Sequence, residues 1–264
     1  MAEPSRHSVS ACDGGGLPQL MDVPMRKRKH TDAVLEHLAT YWMGTYPSVT
    51  NTLEEPGDVE NTMSRLRDDG LIASAKLYPE ARKEIYFHLT ETGAHLIGSD
   101  RGEAIRDPRK RAECFGVLQF CCYGPQLRHK LTRDVFDEWL PGYRAQNAEL
   151  QRRFPSDNYF IDESDPTYHR LGRILVVVPP PDFLNKLRYE HLDKTSGCFP
   201  DFFDADRFSF AVVTSTKRAA TLITKQLEAD PLMYRRRPVP VHVEHYPALI
   251  QLFAKPTEKK ANAK

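Results

Sequence analysis

Two stretches of the chain decide its fold class: residues 64–72 read SRLRDDGLI, and residues 86–97 read YFHLTETGAHLI. The first ends a helical pattern at Gly70, a residue type that supplies a left-handed exit, and continues into an apolar strand. The second begins with strand-forming residues and reaches Thr90, which can cap a helix. Together they predict a helix, a two-stranded hairpin and a short closing helix.

The residues before these stretches predict three successive helices. Thr31–Met43 has apolar residues at helical spacing, with Thr31 as its cap and with Gly44 and Pro47 ending it. Val49–Glu55 predicts a short second helix, and Asp58–Asp69 predicts a longer third helix capped by Asp58.

The hairpin that follows is predicted to have strands at Leu71–Tyr78 and Glu84–Leu89, joined by a polar tip. Inward and outward side chains should alternate along the return strand. The inward set is Ile85, Phe87 and Leu89, and the outward set is Tyr86 and His88.

This order of elements resembles the winged helix-turn-helix superfamily of bacterial regulators. In that family the reading helix enters the wing through L-x-x-x-G-L-I, and the return strand leaves through Y-x-L-T-x-x-G. Here Tyr86 stands one place further from Leu89 and Thr90 than usual, which assigns the inward role to Phe87. The resemblance covers about a quarter of the chain, from Thr31 to Ile97, and implies binding of double-stranded DNA.

The third helix would present its outward face to the major groove. Asn61 can pair with adenine edges, and Arg65 can reach the acceptors of guanine, with Ser64 beside them. Other basic residues are expected to contact phosphates. They are Arg67, Lys76, Arg82 and Lys83, the last two at the hairpin tip.

Residues 1–30 are predicted to be a disordered tail that ends in a basic arm able to lie on phosphates. The arm consists of Arg26, Lys27, Arg28 and Lys29. The net charge is only +1, so any DNA contact must depend on a local surface. Acidic Glu60, Asp68 and Asp69 on or near the reading helix leave open that the unit binds protein instead.

The second half of the chain predicts a small α/β domain with a mixed sheet. A buried helix at Ala112–Tyr123 and a helix at Leu131–Leu140 come first. Strands and helices then follow in the order strand, strand, helix, strand, helix, strand. Their ranges are Asn158–Asp162, Arg173–Val178, Asp182–Lys194, Arg207–Thr214, Lys217–Ala229 and Val239–Glu244.

The layout of the whole chain also resembles the replication-relaxation family of plasmid and mobile-element proteins, whose second domain is nuclease-like. Arg109–Cys122 sits where that family has a linking helix. A nuclease with an atypical acidic site at Asp162, Glu163 and Asp165 is therefore an alternative function. The next strand supplies neither an acid nor a lysine, so the usual nuclease pattern is broken.

The sequence thus predicts an α+β protein with a winged helix at 31–99, a linker at 100–111, an α/β domain at 112–255 and a loose tail at 256–264. The α/β domain could be a degenerate nuclease fold. The five cysteines are expected to be reduced. We expect a cytoplasmic, non-enzymatic protein that needs no metal or cofactor and does not bind membranes. It would bind double-stranded DNA at an origin or promoter of a plasmid, phage or mobile element. Further partners could be a second copy of the chain or replication and transfer proteins.

Overall fold

A computed structural model describes most of the chain. The described residues are 30–53, 58–78, 84–124, 128–144, 147–153, 158–164, 169–177 and 182–253. Residues 1–29 with the basic arm, the tip of the hairpin, the predicted tail at 256–264 and Asp165 lie outside these residues. His30, the last residue of the predicted first tail, is helical.

The first part of the described chain, which we call the helix–hairpin unit (30–97), contains four helices and a two-stranded antiparallel hairpin. Its elements are α1 (His30–Tyr41), α2 (Tyr46–Thr52), α3 (Val59–Asp68), β1 (Ile72–Lys76), β2 (Ile85–Leu89) and α4 (Glu91–Leu96). Its core consists of apolar residues from every one of these elements, including Leu35, Val49, Met63, Ile72 and Phe87.

The end of α1 differs from the prediction, which placed it at Met43 before Gly44. Trp42 already has a φ of +65°, so the helix ends at Tyr41. The chain turns there because Gly44 pairs with Phe87, and the two residues exchange backbone hydrogen bonds of 2.9 and 2.8 Å. The predicted cap Thr31 lies inside the helix, which begins at His30.

Helix α2 begins three residues earlier than predicted. Thr45 and Ser48 form a reciprocal capping box, and Pro47 occupies the first turn. Proline is favoured at that position because its missing N–H has no helical partner there. The proline therefore starts the second helix rather than ending the first.

The predicted ends of α3 are confirmed. The Asp58 carboxylate accepts a hydrogen bond from the Asn61 amide at 3.0 Å, and Gly70 has a φ of +71°. Thr90 caps α4 as predicted, through the Gly93 amide.

The predicted alternation along β2 is wrong for Ile85, Tyr86 and His88. Ile85 is 39% exposed, whereas Tyr86 is fully buried. Tyr86 and His88 are buried because the second face of the hairpin also packs against protein, and the Tyr86 hydroxyl accepts a hydrogen bond from the Ile105 amide. Phe87 takes the inward role that its position predicted.

The rest of the chain, which we call the sheet domain (108–253), contains a sheet between helices. Its early elements are α5 (Pro108–Cys122), β3 (Arg128–Lys130), α6 (Arg133–Trp139), α7 (Ala148–Arg153), β4 (Asn158–Asp162) and β5 (Arg170–Val177). A helical segment follows, composed of α8 (Phe183–Lys186), a π-helical turn (Leu187–Leu192), α9 (Asp193–Cys198) and α10 (Pro200–Asp204). The last elements are β6 (Phe208–Thr214), α11 (Lys217–Ala229), β7 (Met233–Tyr234), β8 (Arg237–Pro238), β9 (Val241–His245) and α12 (Leu249–Phe253).

Five strands form a mixed sheet in the order β3-β4-β5-β6-β9, which confirms the predicted mixed sheet and the α+β class. Strands β3, β4 and β5 are successively antiparallel, whereas β5, β6 and β9 run parallel to one another. Strand β3 was not predicted because three residues are too few to show an alternating pattern. Strand β5 begins at Arg170, three residues before its predicted start.

Helix α5 joins the two parts of the molecule. It begins at Pro108, inside the predicted linker, and Ile105 just before it is buried. Its residues share one core with Tyr41 and Tyr86 of the helix–hairpin unit and with Ile174 of the sheet. Residues 100–111 are therefore part of the packed structure rather than a free connection.

None of the described cysteines forms a disulfide, and all four are buried, namely Cys114, Cys121, Cys122 and Cys198. Burial raises the pKa of Cys121 to about 12, so its thiol stays protonated at neutral pH. Among the described residues, no helix is both long enough and apolar enough to cross a bilayer.

Candidate nucleic-acid interface

The outward face of α3 carries the residues that sequence analysis assigned to DNA reading. Val59, Met63 and Leu66 fix the helix by packing into the unit's core beside α1 and α2. Asn61 and Arg65, four residues apart, are exposed one turn from each other. The structure thus places an amide and a guanidinium side by side on the solvent face.

The side chains of this face are partly held by protein contacts. Nη2 of Arg65 donates a hydrogen bond to Thr31 Oγ1 at 3.0 Å. This bond orients the guanidinium towards the start of α1. The Asn61 amide nitrogen donates to the Asp58 carboxylate at the helix cap. Ser64 is half-buried. Arg65 is therefore more available to a base edge than Asn61, whose amide lies against a carboxylate.

Two further cations lie near this face, Arg67 in the last turn of α3 and Lys76 at the end of β1. Both side chains are exposed, and within the described ranges neither forms an ion pair with a carboxylate. Exposed cations without a protein partner are available to phosphates. Asp68 and Asp69 at the exposed end of the same helix reduce the positive potential there.

The other predicted contacts belong to segments outside the described residues. They are Arg26, Lys27, Arg28 and Lys29 of the arm, and Arg82 and Lys83 of the hairpin tip. Their assignment to phosphates stays a prediction.

A second group of cations, which sequence analysis missed, surrounds Trp42. The guanidinium of Arg101 lies 2.9 Å from the indole centroid, and the ammonium groups of Lys110 and Lys130 lie 4.9 and 6.0 Å from it. Lys110 is neutralised by Glu113 at 2.9 Å. A positive φ at tryptophan has no signature in composition or periodicity, so only the folded chain shows this cluster.

Lys130 of that cluster also binds the end of α1. Its ammonium donates to the Thr40 carbonyl at 2.8 Å, at the end of α1, where the helix dipole favours a cation. Burial lowers the pKa of Lys130 to about 8. The lysine comes from β3, so this contact ties the sheet domain to the helix–hairpin unit. An open cavity of about 400 Å³ adjoins Trp42 and is lined by residues 100–105 and Glu91.

The acidic residues of the nuclease alternative lie at the end of β4. Asp162 is buried, its Oδ2 lies 3.9 Å from Arg128 Nε, and its Oδ1 accepts the Ser164 amide at 2.9 Å. Glu163 faces His129 at 3.5 Å, and that imidazole lowers the pKa of the carboxyl. Within the described ranges, no three His, Cys, Asp or Glu side chains are grouped as metal ligands would be.

Arg128 also reaches the far edge of the sheet, where it donates to Glu244 at 2.6 Å. The other oxygen of Glu244 accepts the hydroxyl of Tyr246. The acids of the sheet domain thus neutralise a buried guanidinium, which is a structural arrangement.

No protein-family model, curated protein or solved structure matches this chain. The two family resemblances therefore remain predictions.

Proposed function

We propose that the helix–hairpin unit is a winged helix-turn-helix that binds double-stranded DNA, with α3 in the major groove. We further propose that the protein acts without catalysis at an origin or promoter of a plasmid, phage or mobile element. The observation that carries the DNA proposal is the exposed face of α3. There, Arg65 projects beside Asn61 from a helix that α1 and α2 brace from behind, and Arg67 is exposed on the opposite flank of the same helix.

Several features support this orientation. The buried stripe of α3 leaves the opposite side of the helix exposed to solvent, where Arg65 and Asn61 make their hydrogen bonds to Thr31 and Asp58. Among the described residues, α3 is the only helix of the unit with two exposed arginines. The hairpin that follows carries Lys76 at the end of β1 that leads to the tip. A duplex lying along α3 would meet this lysine at its backbone.

The proposal is tested by fluorescence anisotropy with labelled duplexes across a salt series. Arg67→Ala and Lys76→Ala should weaken binding to every duplex about three- to tenfold and each reduce the salt slope by about one. Arg65→Ala should change which sequence is selected from a random duplex library and cost about tenfold or more on the preferred site.

Thr31→Val is the matched control for Arg65→Ala. It removes the hydroxyl that accepts the Arg65 hydrogen bond but keeps the guanidinium and a side chain of the same shape. Binding should stay within about twofold of the unchanged protein. If Thr31→Val and Arg65→Ala have the same effect, the arginine acts on the fold and the groove assignment fails.

Glu60→Gln separates DNA binding from protein binding. This exposed carboxylate on α3 would repel phosphates, so its neutralisation should tighten DNA binding by about twofold or more. A unit that recognises a protein shows no anisotropy change with any duplex at low salt, and that result rejects the proposal.

The biological setting is tested by immunoprecipitation of the protein with its DNA in the native host, followed by sequencing. A sharp peak beside a replication or transfer origin, or at a promoter, is expected. Peaks spread evenly over the genome would contradict a role at one site.

A further inference from the structure

Strand β9 (Val241–His245) is the outer strand of the sheet, and in the described part of the chain one of its edges is unpaired. Among the described residues it pairs only with β6, on its inner side. All five of its residues are partly exposed, whereas all seven residues of β6 are buried. Such an edge is a template for another strand.

The backbone hydrogen bonds show which groups of β9 point outward. Pro240 accepts a bond from the Phe210 amide, and the Tyr246 amide donates to Thr214, so both residues face β6. Successive residues of a strand point their N–H and C=O groups to opposite sides. His242 and Glu244 therefore also face β6, whereas Val241, Val243 and His245 direct theirs to the open edge.

The open edge has definite ends. The amide of Val239 donates to the Leu232 carbonyl at 2.7 Å, so the edge is already used before β9 begins. Pro240 and Pro247 flank the strand on its two sides. Proline cannot donate a ladder hydrogen bond, so pairing is confined to the six residues between them, of which five form β9.

The sequence of these five residues, VHVEH, is self-complementary in an antiparallel register centred on Val243. Val243 then faces its own copy, and Val241 faces His245 of the copy. These are the three residues with outward backbone groups, so each facing pair exchanges N–H and C=O bonds. His242 faces Glu244 of the copy in the remaining pairs, where side chains approach most closely.

We propose that β9 is the interface of a two-fold symmetric dimer, in which two copies of the chain join their sheets edge to edge through this register. The same surface serves both copies, as a two-fold interface requires. We assign a second copy of the chain to this edge for two reasons. A single two-fold axis through Val243 makes the outward N–H and C=O groups of both strands meet, and the same axis places each His242 opposite Glu244 of the other copy.

The side chains of Glu244, His242 and Leu222 are compatible with this pairing. Glu244 keeps 30% of its side chain exposed while it binds Arg128, and a carboxylate can accept further hydrogen bonds. Burial lowers the pKa of His242, so its neutral imidazole would donate one N–H to the carboxylate of the copy. Leu222, 56% exposed, lies on α11, which packs beside β9 and would approach its copy.

A cysteine cross-link tests the register directly. In the proposed dimer, the two Cα atoms at position 243 lie about 5.5 Å apart, within disulfide range. Oxidised Val243→Cys should run as a covalent dimer on a non-reducing gel. His245→Cys is the positional control, because position 245 faces 241 and lies about 14 Å from its own copy. Equal cross-linking of both variants, or of neither, rejects the register.

Sedimentation of the full chain tests the dimer without added cysteines. The unchanged protein at about 100 μM should reach twice the chain mass of 30.2 kDa. Val243→Pro removes one outward N–H but none that faces β6, so it should weaken association about tenfold or more. The exposed Tyr189→Ser is the surface control and should leave association unchanged.

Hydrogen exchange tests the dimer in the unchanged protein, so it applies even if Val243→Pro fails to fold. In the dimer, the amides of Val241, Val243 and His245 are protected and lose protection on dilution. A monomer at every concentration overturns the proposal. Protection that does not change on dilution also overturns it, because a segment of the same chain then covers the edge.

Discussion

His37 shows how burial sets the chemistry of a single residue. Its imidazole is buried inside the helix–hairpin unit, with Nε2 3.2 Å from Ser48 Oγ and Nδ1 2.9 Å from Thr52 Oγ1. Both contacts are satisfied by the neutral ring, and burial lowers the pKa of His37 to about 3. The side chain links α1 to α2 and thereby fixes the brace behind α3.

The stability of the unit should fall in acid because the unfolded chain binds a proton that folded His37 excludes. The contribution is complete above the ordinary pKa of 6.5 and is lost as the pH falls towards 3. Between pH 6.5 and 5 the expected loss is about 2 kcal/mol. Urea unfolding at both pH values measures it, and His37→Gln should be less stable at pH 7 but flatter with pH. An equally steep pH dependence in the variant would contradict this assignment.

At the scale of elements, Gly93 allows α4 to pack closely against the loop before β1. A side-chain carbon added at Gly93 would lie 2.0 Å from the Leu71 carbonyl oxygen, on the loop between α3 and β1. Only a residue without a side chain allows α4 to approach this closely. The T-x-x-G part of the pattern that suggested the hairpin thus has a steric cause: Thr90 caps α4, and Gly93 lets it pack.

Gly93→Ala should destabilise the fold by about 2–4 kcal/mol because backbone must move to admit the methyl group. Gly197→Ala is the matched control: Gly197 lies in α9, with no atom within 4 Å of an added carbon. Alanine should be neutral or stabilising by up to about 1 kcal/mol there. Thermal unfolding of both variants measures the difference, and equal midpoints would show that α4 shifts at little cost.

At the scale of the molecule, the two halves behave as one packed body around α5. Lys130 binds the end of α1, the Asn51 amide donates to the Cys122 carbonyl at 3.0 Å, and the Tyr78 hydroxyl donates to the Ala248 carbonyl at 2.9 Å. Gly116 of α5 brings that helix against Val176 of the sheet. Separation of the halves would expose this shared core, including Tyr86.

We therefore expect the chain to unfold in a single cooperative transition. The chain has two tryptophans, Trp42 in the helix–hairpin unit and Trp139 in the sheet domain. In Trp139→Phe the fluorescence reports the first half, and in Trp42→Phe it reports the second. Each fluorescence midpoint in urea should coincide with the circular dichroism midpoint of the same variant. Two separated transitions in either variant would show that the halves fold independently.

Local patterns were sufficient for features that depend on neighbouring residues. The cap at Asp58, the exit at Gly70, the cap at Thr90 and the stripe of α3 were all predictable, because each depends on contacts within about four residues. The mixed sheet was predictable because apolar strands alternated with helices. These signals cover most of the fold and the α3 part of the candidate site.

Only the tertiary structure decided what lies against each element. The burial of Tyr86 and the packing of residues 100–111 result from contacts with α5. The turn at Trp42 accompanies the pairing of Gly44 with Phe87, a residue distant in sequence. The open edge of β9 likewise follows from strand order, which no local pattern contains. Sequence by itself determined the helix that faces solvent, and long-range packing decided how that helix is held and which strand edge is left open.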